Sequence, residues 1–313
     1  MTSAGAPAPG DGNGGRGLEG RGDGRDAVEA PVFPDVAVVG TGLIGGSVAL
    51  AVRRRWPATR LVGVDVPHVV AQTPDLTSAF DHVATDLRAI AAASLVVLAA
   101  PVRQNIEVLT ALAGTLASSA VVTDVGSTKG AIVAEAARLR TPFVFVGGHP
   151  LGGAAHGGFA HASASLFDGR PWILTPGDDV PDTVVARLRA FAEGLRARPA
   201  QMTAWDHDRL MAFVSHLPQL TASALMACVG GAAGPAGLAL SGRGLLDTTR
   251  LAASPATVWV DVCTSNADAI RDALDALIDR LTEVRADLGR GHAIEALFAD
   301  AAKWREELLR EPR

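Results

Sequence analysis

Short apolar runs recur through the first half of the chain, and stretches of helical period separate them. The runs are apolar throughout rather than alternating, which is typical of parallel strands buried on both faces. The predicted strands are Val36–Val39, Leu61–Val64, Leu95–Ala99, Val121–Thr123 and Phe143–Val146, with Trp172–Leu174 at the sheet edge. The predicted helices between them are Leu43–Arg55, Val102–Leu116 and Thr128–Leu139. This order predicts an α/β fold, a doubly wound parallel sheet of the Rossmann type.

After Pro176 the pattern becomes helical, with polar residues confined to one face of several segments. The predicted helices are Val180–Arg196, Met202–Cys228 with a break at Pro218, Pro255–Arg285 and Ala293–Leu309. We therefore predict a dinucleotide-binding domain over residues 32–178 and a helical domain over 179–313. The helical domain has more apolar positions than one small bundle needs, which indicates contacts between subunits.

Residues 1–31 are Gly, Ala, Pro, Asp and Arg with almost no large apolar side chain, so they are predicted to be a disordered tail. The tail lacks the apolar core of a secretion signal. No later stretch was expected to have the length and freedom from charge of a membrane span.

Composition limits the classes of partner. Hydrophobic residues make up 48% of the chain and charged residues 19%, and the formal net charge is −5. This balance gives no reason to expect nucleic acid or an anionic membrane as a partner. The two cysteines, Cys228 and Cys263, form no disulfide framework, which favours a reducing cytoplasm. The spacing of His, Cys, Asp and Glu predicts no metal site.

The first predicted strand leads directly into a G-x-G-x-x-G turn and a helix. The turn residues are Gly40, Thr41, Gly42, Leu43, Ile44 and Gly45. The first glycine allows the tight turn, the second lets a pyrophosphate approach the backbone, and the third lets the helix pack on the strand. The N–H groups at the start of the helix favour the phosphates.

The second predicted strand ends in Asp65, twenty residues after Gly45. A carboxylate there is suited to accept a hydrogen bond from a ribose 2′-hydroxyl and would repel a 2′-phosphate. The following Val66-Pro67 supplies no arginine for such a phosphate. The pattern therefore predicts NAD as the cofactor, with Pro101 marking the exit of a later strand over the cofactor crevice.

Two histidines are candidates for proton transfer near neutral pH. His149 follows a predicted strand in a glycine-rich loop, with its imidazole expected to face the crevice; capping of the loop is the alternative. His216 lies on an apolar helix, where a buried structural histidine is the commoner case. His207 is nine residues earlier, on the opposite face of a straight helix, so we interpret it as structural.

Two further polar residues lie where chemistry is plausible. Ser127 follows the strand Val121–Thr123 and is expected near His149, and it also suits a helix N-cap. Arg250 precedes a helix start in an apolar neighbourhood, which suits a carboxylate, although a solvated surface arginine fits its spacing nearly as well.

Several long motifs together resemble the prephenate dehydrogenase family, which contains prephenate and arogenate dehydrogenases. The resemblance runs in order from Val36 to about Asn266. Its motifs include Val39–Ser47, Thr123–Lys129, Phe145–Pro150, Leu166–Pro176, Val214–Pro218 and Asp247–Arg250. It implies a Rossmann domain followed by a helical dimerisation domain, hence a homodimer.

The resemblance also implies a reaction and site residues. The reaction is NAD-dependent oxidative decarboxylation of a cyclohexadienol, in tyrosine biosynthesis. His149 would accept the proton of the C4 hydroxyl, and Ser127 would orient His149. Arg250 would bind a substrate carboxylate. His216 would line the substrate pocket, with Ser215 and Gln219 beside it.

Two positions depart from the family pattern. Ala155 stands where many relatives have a glutamate, and Gln219 where many have a histidine. The choice between prephenate, slightly favoured, and arogenate therefore stays open. A non-catalytic dinucleotide sensor is a further alternative, opposed by Ser127, His149 and Arg250. A β-hydroxyacid dehydrogenase would resemble its relatives in having a lysine on the long helix, and Met202–Cys228 contains none.

Overall fold

The computed structural model describes residues 30–117, 119–139, 141–153 and 156–310. The predicted disordered tail, up to residue 29, and Ala155 lie outside the described residues. The two predicted domains make enough mutual contacts that Pro31–Arg313 forms one unit.

One sheet organises the first part of the chain. Its strands are β1 Asp35–Val39, β2 Arg60–Val64, β3 His82–Ala84, β4 Leu95–Leu98, β5 Val121–Asp124, β6 Val144–Pro150, β7 Pro171–Pro176 and β8 Arg198–Gln201. Within the described residues they lie in the order β3-β2-β1-β4-β5-β6-β7-β8. All neighbouring pairs are parallel except β6 and β7, which are antiparallel. The order changes direction between β1 and β4, where doubly wound sheets bind ligands.

Helices cover both faces of this sheet. They are α1 Leu43–Arg55, α2 Pro67–Gln72, α3 Val102–Leu112, α4 Gly130–Arg138 and α5 Asp182–Gly194, with 3₁₀ turns at Pro74–Ser78, Leu87–Ile90 and Phe159–His161. Alternate residues of β1 belong to two different buried clusters, Val36 and Val38 to one, Ala37 and Val39 to the other. Both faces of the strands are therefore buried, which is why they are apolar throughout.

The sheet extends beyond the predicted domain boundary at residue 178. Helix α5 packs on it, and β8 pairs with β7 from Pro171↔Arg198 to Leu174↔Gln201. The chain after residue 178 therefore contributes one helix and one strand to the sheet region before the helical segment begins. The two unpredicted strands, β3 and β8, are the short, partly exposed edge strands. Half-exposed edges lack the apolar run that identified the central strands.

The remaining chain is helical. Its elements are α6 Ala204–Met211, a π-turn Ala212–His216, α7 Leu217–Leu238, α8 Arg243–Thr248, a 3₁₀ turn Arg250–Ala253, α9 Ala256–Ser265, α10 Ala267–Asp287 and α11 His292–Arg310. The predicted break at Pro218 is wrong, because Pro218 lies in the first turn of α7, where a proline is tolerated. The kink falls instead at Gly234, whose φ is 60°, directly before Pro235.

The helical segment buries little apolar surface of its own. Among the described residues its buried cluster consists of Ala212, Ile270 and Ala273, with partly buried neighbours around it. Many large apolar side chains are instead exposed. They include Trp205, Val214, Leu240, Val258, Val260, Ile278, Leu281, Phe298, Trp304 and Leu309. An apolar surface of this extent is characteristic of a protein interface.

The stretch Ala204–Leu238 is long and apolar enough to cross a membrane by length and composition alone. No such stretch was expected from the sequence. Its first helix, α6, contacts α4 and β7, and its His207 and Asp208 are buried against the sheet region. This packing makes the criterion weak evidence for a membrane span.

Candidate active site

A cavity of about 600 Å³ lies between the carboxyl ends of the central strands and the helical segment. His149, Ser127, Ser215 and His216 all line it, so four of the predicted site residues are brought together. Beside it lies a second cavity of about 370 Å³. The two share the backbone that leads from β4 into α3, including Pro101.

The glycine turn borders the second cavity. Gly40 has φ 94°, and a Cβ there would lie 2.6 Å from the backbone of Ala99. A Cβ on Gly45 would lie 1.9 Å from the carbonyl oxygen of Gly40, whereas one on Gly42 would meet no atom within 4 Å. Gly40 and Gly45 are therefore required by packing, while Gly42 leaves its backbone open to a ligand.

The first turn of α1 fits a phosphate group. Gly42 is its N-cap, no side chain caps it, and its first turn contains no acidic residue. The open N–H groups and the helix dipole together attract an anion. Leu43 opens the helix and Ile44 reaches the larger cavity.

Asp65 directly follows β2 and lines the second cavity. Its carboxylate also fixes the glycine turn. Oδ2 accepts hydrogen bonds from the Thr41 backbone N–H at 2.6 Å and the Thr41 hydroxyl at 2.9 Å, and Oδ1 accepts one from the Val66 N–H at 2.8 Å. No arginine or lysine lines this cavity in the described part of the chain. The residues therefore fit a dinucleotide with an unmodified 2′-hydroxyl.

His149 lies within strand β6 rather than in the predicted loop. It pairs with Ile173 of β7, whereas the pairing of β6 with β5 ends at Val146. The strand thus continues past the carboxyl end of its parallel neighbour and carries the half-buried imidazole to the cavity. Antiparallel support from β7 was not visible in the sequence pattern.

Three side chains, two of them buried, form a hydrogen-bonded row behind the cavity. His149 Nδ1 lies 2.9 Å from His207 Nε2, and His207 Nδ1 lies 2.8 Å from Asp208 Oδ1. Asp208 also accepts the backbone N–H groups of Lys129 and Gly130, each at 2.7 Å. Asp208 is therefore the side chain that caps α4, and His207 connects it to His149.

The interpretation of His207 as remote from the site of His216 is wrong, and the π-turn is the reason. In a regular α-helix nine residues place two side chains about 180° apart. The π-turn Ala212–His216 accommodates one extra residue, which reduces the angle to about 80°. Both histidines consequently lie close enough to His149 to affect its charge.

The surroundings of His149 favour its neutral form. Burial lowers the pKa of His149 well below its usual range, and the nearby Lys129, His207 and His216 lower it further. Burial likewise lowers the pKa of Lys129, against the opposing effect of Asp124. At neutral pH the imidazole of His149 is thus unprotonated and able to accept a proton.

A buried ion pair between Lys129 and Asp124 holds the loops around this histidine. Asp124 accepts the N–H of Gly148 at 3.0 Å and that of Gly126 at 2.8 Å, and Lys129 Nζ donates to the Gly148 carbonyl at 2.8 Å. The pair therefore fixes the residues next to both Ser127 and His149.

Ser127 lines the cavity but does not have the two structural roles expected of it. Helix α4 begins at Gly130 and is capped by Asp208, so Ser127 is not its N-cap. In the described structure the partner of His149 is His207 rather than Ser127. Ser127 remains free to contact a ligand.

His216 is 1% exposed and forms the helical wall of the cavity. The Nδ2 of Asn266 donates to the carbonyl oxygen of Asp208 at 2.8 Å, which fixes the orientation of the amide, and it lies 3.3 Å from His216 Nδ1. His216 Nδ1 is therefore an acceptor, and in the neutral ring Nε2 carries the proton. Burial lowers the pKa of His216 to about 4. The ring also packs edge-on against Trp259.

Gln219 and Arg250 are not brought to this cavity. Gln219 is buried, donates to the Leu251 carbonyl at 2.7 Å, and lines a separate cavity beyond Trp259. Arg250 is exposed on its 3₁₀ turn. Within the residues described, no arginine or lysine lines the cavity of His149. The assignment of Arg250 to a substrate carboxylate stays a prediction.

The sequence did not single out three residues that lie in or directly behind the cavity wall. They are Asp208, Asn266 and Asp261. The only available signal was the adjacency of His207 and Asp208 after the capping residue Thr203. Asp261 lines the cavity and accepts the N–H of Val102 at 2.7 Å, which connects α9 to the start of α3.

Four features define a dinucleotide-dependent dehydrogenase. They are the doubly wound sheet, the open glycine turn, the aspartate directly after β2, and a neutral histidine lining the adjoining cavity. Two family models match the chain: "Prephenate dehydrogenase, nucleotide-binding domain" over residues 48–200 and "Prephenate dehydrogenase, dimerization domain" over 203–299. The chain belongs to the prephenate dehydrogenase family.

Individual relatives agree. Prephenate dehydrogenase of Bacillus subtilis is 32% identical over 255 residues, covering 80% of this chain and 69% of that protein. The structure of A. aeolicus prephenate dehydrogenase with hydroxyphenyl propionate and NAD+ is 28% identical with a TM-score of 0.80, covering 87% of this chain and 97% of the other. Synechocystis arogenate dehydrogenase is 29% identical with a TM-score of 0.74, covering 87% and 99%.

Proposed function

We propose that the protein catalyses the NAD-dependent oxidative decarboxylation of prephenate to 4-hydroxyphenylpyruvate, a step of tyrosine biosynthesis. The observation that carries the proposal is the neutral His149 in a cavity large enough for a small cyclic acid, directly beside the cavity that the glycine turn borders. The family of the chain supplies the substrate class.

The residues of the dinucleotide cavity have separate tasks. Gly42 and the first turn of α1 would bind the pyrophosphate, and Asp65 would accept a ribose hydroxyl. The bound nicotinamide would supply the acceptor for the hydride. Pro101, shared by both cavities, lies where the nicotinamide and substrate regions meet.

His149 is the proposed general base. Its Nε2 would take the proton of the C4 hydroxyl while the C4 hydrogen leaves with its electron pair, so a ring carbonyl forms. The electron pair of the ring carboxylate then enters the ring as CO₂ departs, and the oxygen recovers a proton as the phenol. Aromatisation drives the reaction, so the chain must chiefly position the ring and move one proton.

The other residues would position the substrate. His216 presents an Nε2–H donor to the cavity, and Ser127 and Ser215 present hydroxyl groups. We propose that Arg250 meets a substrate carboxylate and that Gln219 acts through its bonds to the turn that carries Arg250.

We also propose that the protein is a cytoplasmic homodimer. The helical segment buries few apolar residues within one chain and exposes many, and its sequence matches a dimerisation-domain model. A second copy covering these helices would remove that apolar surface from water.

Comparison of NADH formation from prephenate and from arogenate tests the function. Prephenate with NAD is expected to give the higher kcat/KM, and replacement of NAD by NADP should lower it. Higher kcat/KM with arogenate would reassign the substrate to the amino acid form. No turnover of either compound would contradict the proposed activity and favour a dinucleotide sensor.

A further inference from the structure

The row His149–His207–Asp208 has a definite direction of hydrogen bonding, and that direction can be worked out from its inner end. Asp208 accepts two backbone N–H groups from the start of α4, at 2.7 Å each. Both carboxylate oxygens of Asp208 therefore act as hydrogen-bond acceptors. An ionised carboxylate can only accept, so the contact of 2.8 Å from His207 Nδ1 to Asp208 Oδ1 requires a proton on Nδ1.

The protonation of His207 then determines that of His149. When the His207 ring carries a single proton and that proton is on Nδ1, its Nε2 is unprotonated and must accept. His207 Nε2 lies 2.9 Å from His149 Nδ1, so His149 Nδ1 must carry a proton and donate it. In the neutral His149 ring the remaining nitrogen, Nε2, therefore keeps its lone pair, and this ring lines the cavity.

We propose that His207 and Asp208 are positioning residues that hold His149 in the Nδ1–H form, with Nε2 as the proton acceptor. The proposal rests on the proposed function, in which His149 is the base. The opposite tautomer would present an N–H to the substrate hydroxyl and could not take its proton. The row also resists rearrangement, because His207 is fully buried and Asp208 is 7% exposed.

The row also connects the helical segment to the sheet region. His149 belongs to β6, whereas His207 and Asp208 belong to α6, and Asp208 caps α4. Asn266 Nδ2 donates to the Asp208 carbonyl and contacts His216, so the same residue connects the row to the opposite wall of the cavity. When α6 packs against the sheet region, the same contacts therefore select the tautomer of His149.

The direct test is nitrogen NMR of the full-length protein labelled with ¹⁵N-histidine, with the His149 signals assigned from their loss in His149→Asn. The wild type is expected to show a protonated Nδ1 and an unprotonated Nε2 on His149. This readout requires no turnover. If the enzyme failed to oxidise prephenate yet showed this tautomer, the proposed function would fall and the tautomer assignment would stand.

Three variants separate positioning from folding. In Asp208→Ala no carboxylate remains to accept from His207 Nδ1–H, so the fixed tautomer of His149 should be lost and kcat should fall by about 10²–10⁴. His207→Leu should lose the fixed tautomer and a similar share of kcat, with the KM for NAD within about threefold of wild type. His207→Gln offers a carbonyl oxygen to His149 Nδ1–H and should retain the tautomer and at least a tenth of kcat.

Thermal unfolding of each variant distinguishes a local defect from loss of the fold. His207→Leu leaves the Asp208 cap of α4 in place and should unfold cooperatively. The proposal is overturned if wild-type His149 carries its proton on Nε2, or if Asp208→Ala and His207→Leu retain the Nδ1–H form. It is equally overturned if a folded His207→Gln loses as much kcat as His207→Leu.

Discussion

At the scale of single residues, burial determines what each histidine can do. His149 and His216 line the same cavity, and both have a lowered pKa because burial disfavours the charged ring. Their partners differ, however: His149 Nδ1 faces an acceptor, and His216 Nδ1 faces the amide donor of Asn266. One ring therefore presents an acceptor to the cavity and the other a donor.

The lowered pKa of His216 predicts a pH dependence of stability. The pKa of His216 in the folded form, about 4, lies below the ordinary histidine value of 6.5, so the unfolded chain binds the proton more tightly. The contribution is fully present above pH 6.5 and is lost as the pH falls toward 4, by no more than about 3 kcal/mol. Denaturant unfolding at several pH values should show a smaller decline for His216→Gln than for wild type.

The exposed His68 offers a matched control for that experiment. His68→Gln should leave the decline with falling pH unchanged. An equal decline in wild type and His216→Gln would mean that other groups account for the pH dependence.

Arg250 can be tested separately because no described partner holds it. Arg250→Gln is expected to weaken substrate binding by about 1.5–3 kcal/mol, as for a hydrogen bond to a charged group. The KM for NAD should stay unchanged. Steady-state kinetics with each substrate varied would check this, and a change confined to the KM for NAD would move Arg250 to the cofactor site.

At the scale of elements, the central strands and the first helix follow from the sequence. Residues Leu43–Arg55 form α1 with the predicted bounds, because the glycine turn fixes its start. Edge strands β3 and β8 escaped prediction since they are short and half-exposed. The π-turn also escaped prediction, because hydrophobic periodicity assumes a constant angle per residue, and this error separated His207 from its site.

The role of the π-turn can be tested by changing the number of residues between His207 and His216. Insertion of one alanine after the exposed Val214 should exceed the single extra residue that the π-turn accommodates and rotate α6 by about 100° relative to α7. His207 and His216 would then no longer serve one cavity, and kcat should fall by at least about 100-fold. Steady-state kinetics, with circular dichroism to confirm folding, would measure this.

Val214→Ala keeps the residue count and should retain the π-turn and most of kcat. If the insertion variant folds and its kcat equals that of Val214→Ala, the helical register across the π-turn has no part in aligning the site.

At the scale of the whole molecule, the chain consists of a well-packed sheet region and a helical segment with little core of its own. The proposed dimer predicts a mass in solution of about twice the 32.1 kDa of one chain. Light scattering would measure it. Charged substitutions of the exposed Phe298 and Trp304 should shift the mass toward one chain if α11 lies in the interface.

A monomeric wild type at micromolar concentration would contradict the proposed dimer.

The sheet, the glycine turn and the cofactor class could be predicted from short motifs, because each depends on residues adjacent in sequence. The Asp208–His207–His149 row could not, since it depends on how α6 docks against β6.

The proposed mechanism depends most on His149 as the group that accepts the substrate proton. The most direct measurement is the rate of NADH formation from prephenate by wild type and by His149→Asn at saturating NAD. A loss of about 10²–10⁴ in kcat with little change in KM is expected, because asparagine can hold the substrate hydroxyl but cannot take its proton. A kcat of His149→Asn equal to that of wild type would contradict the role of His149 as the general base.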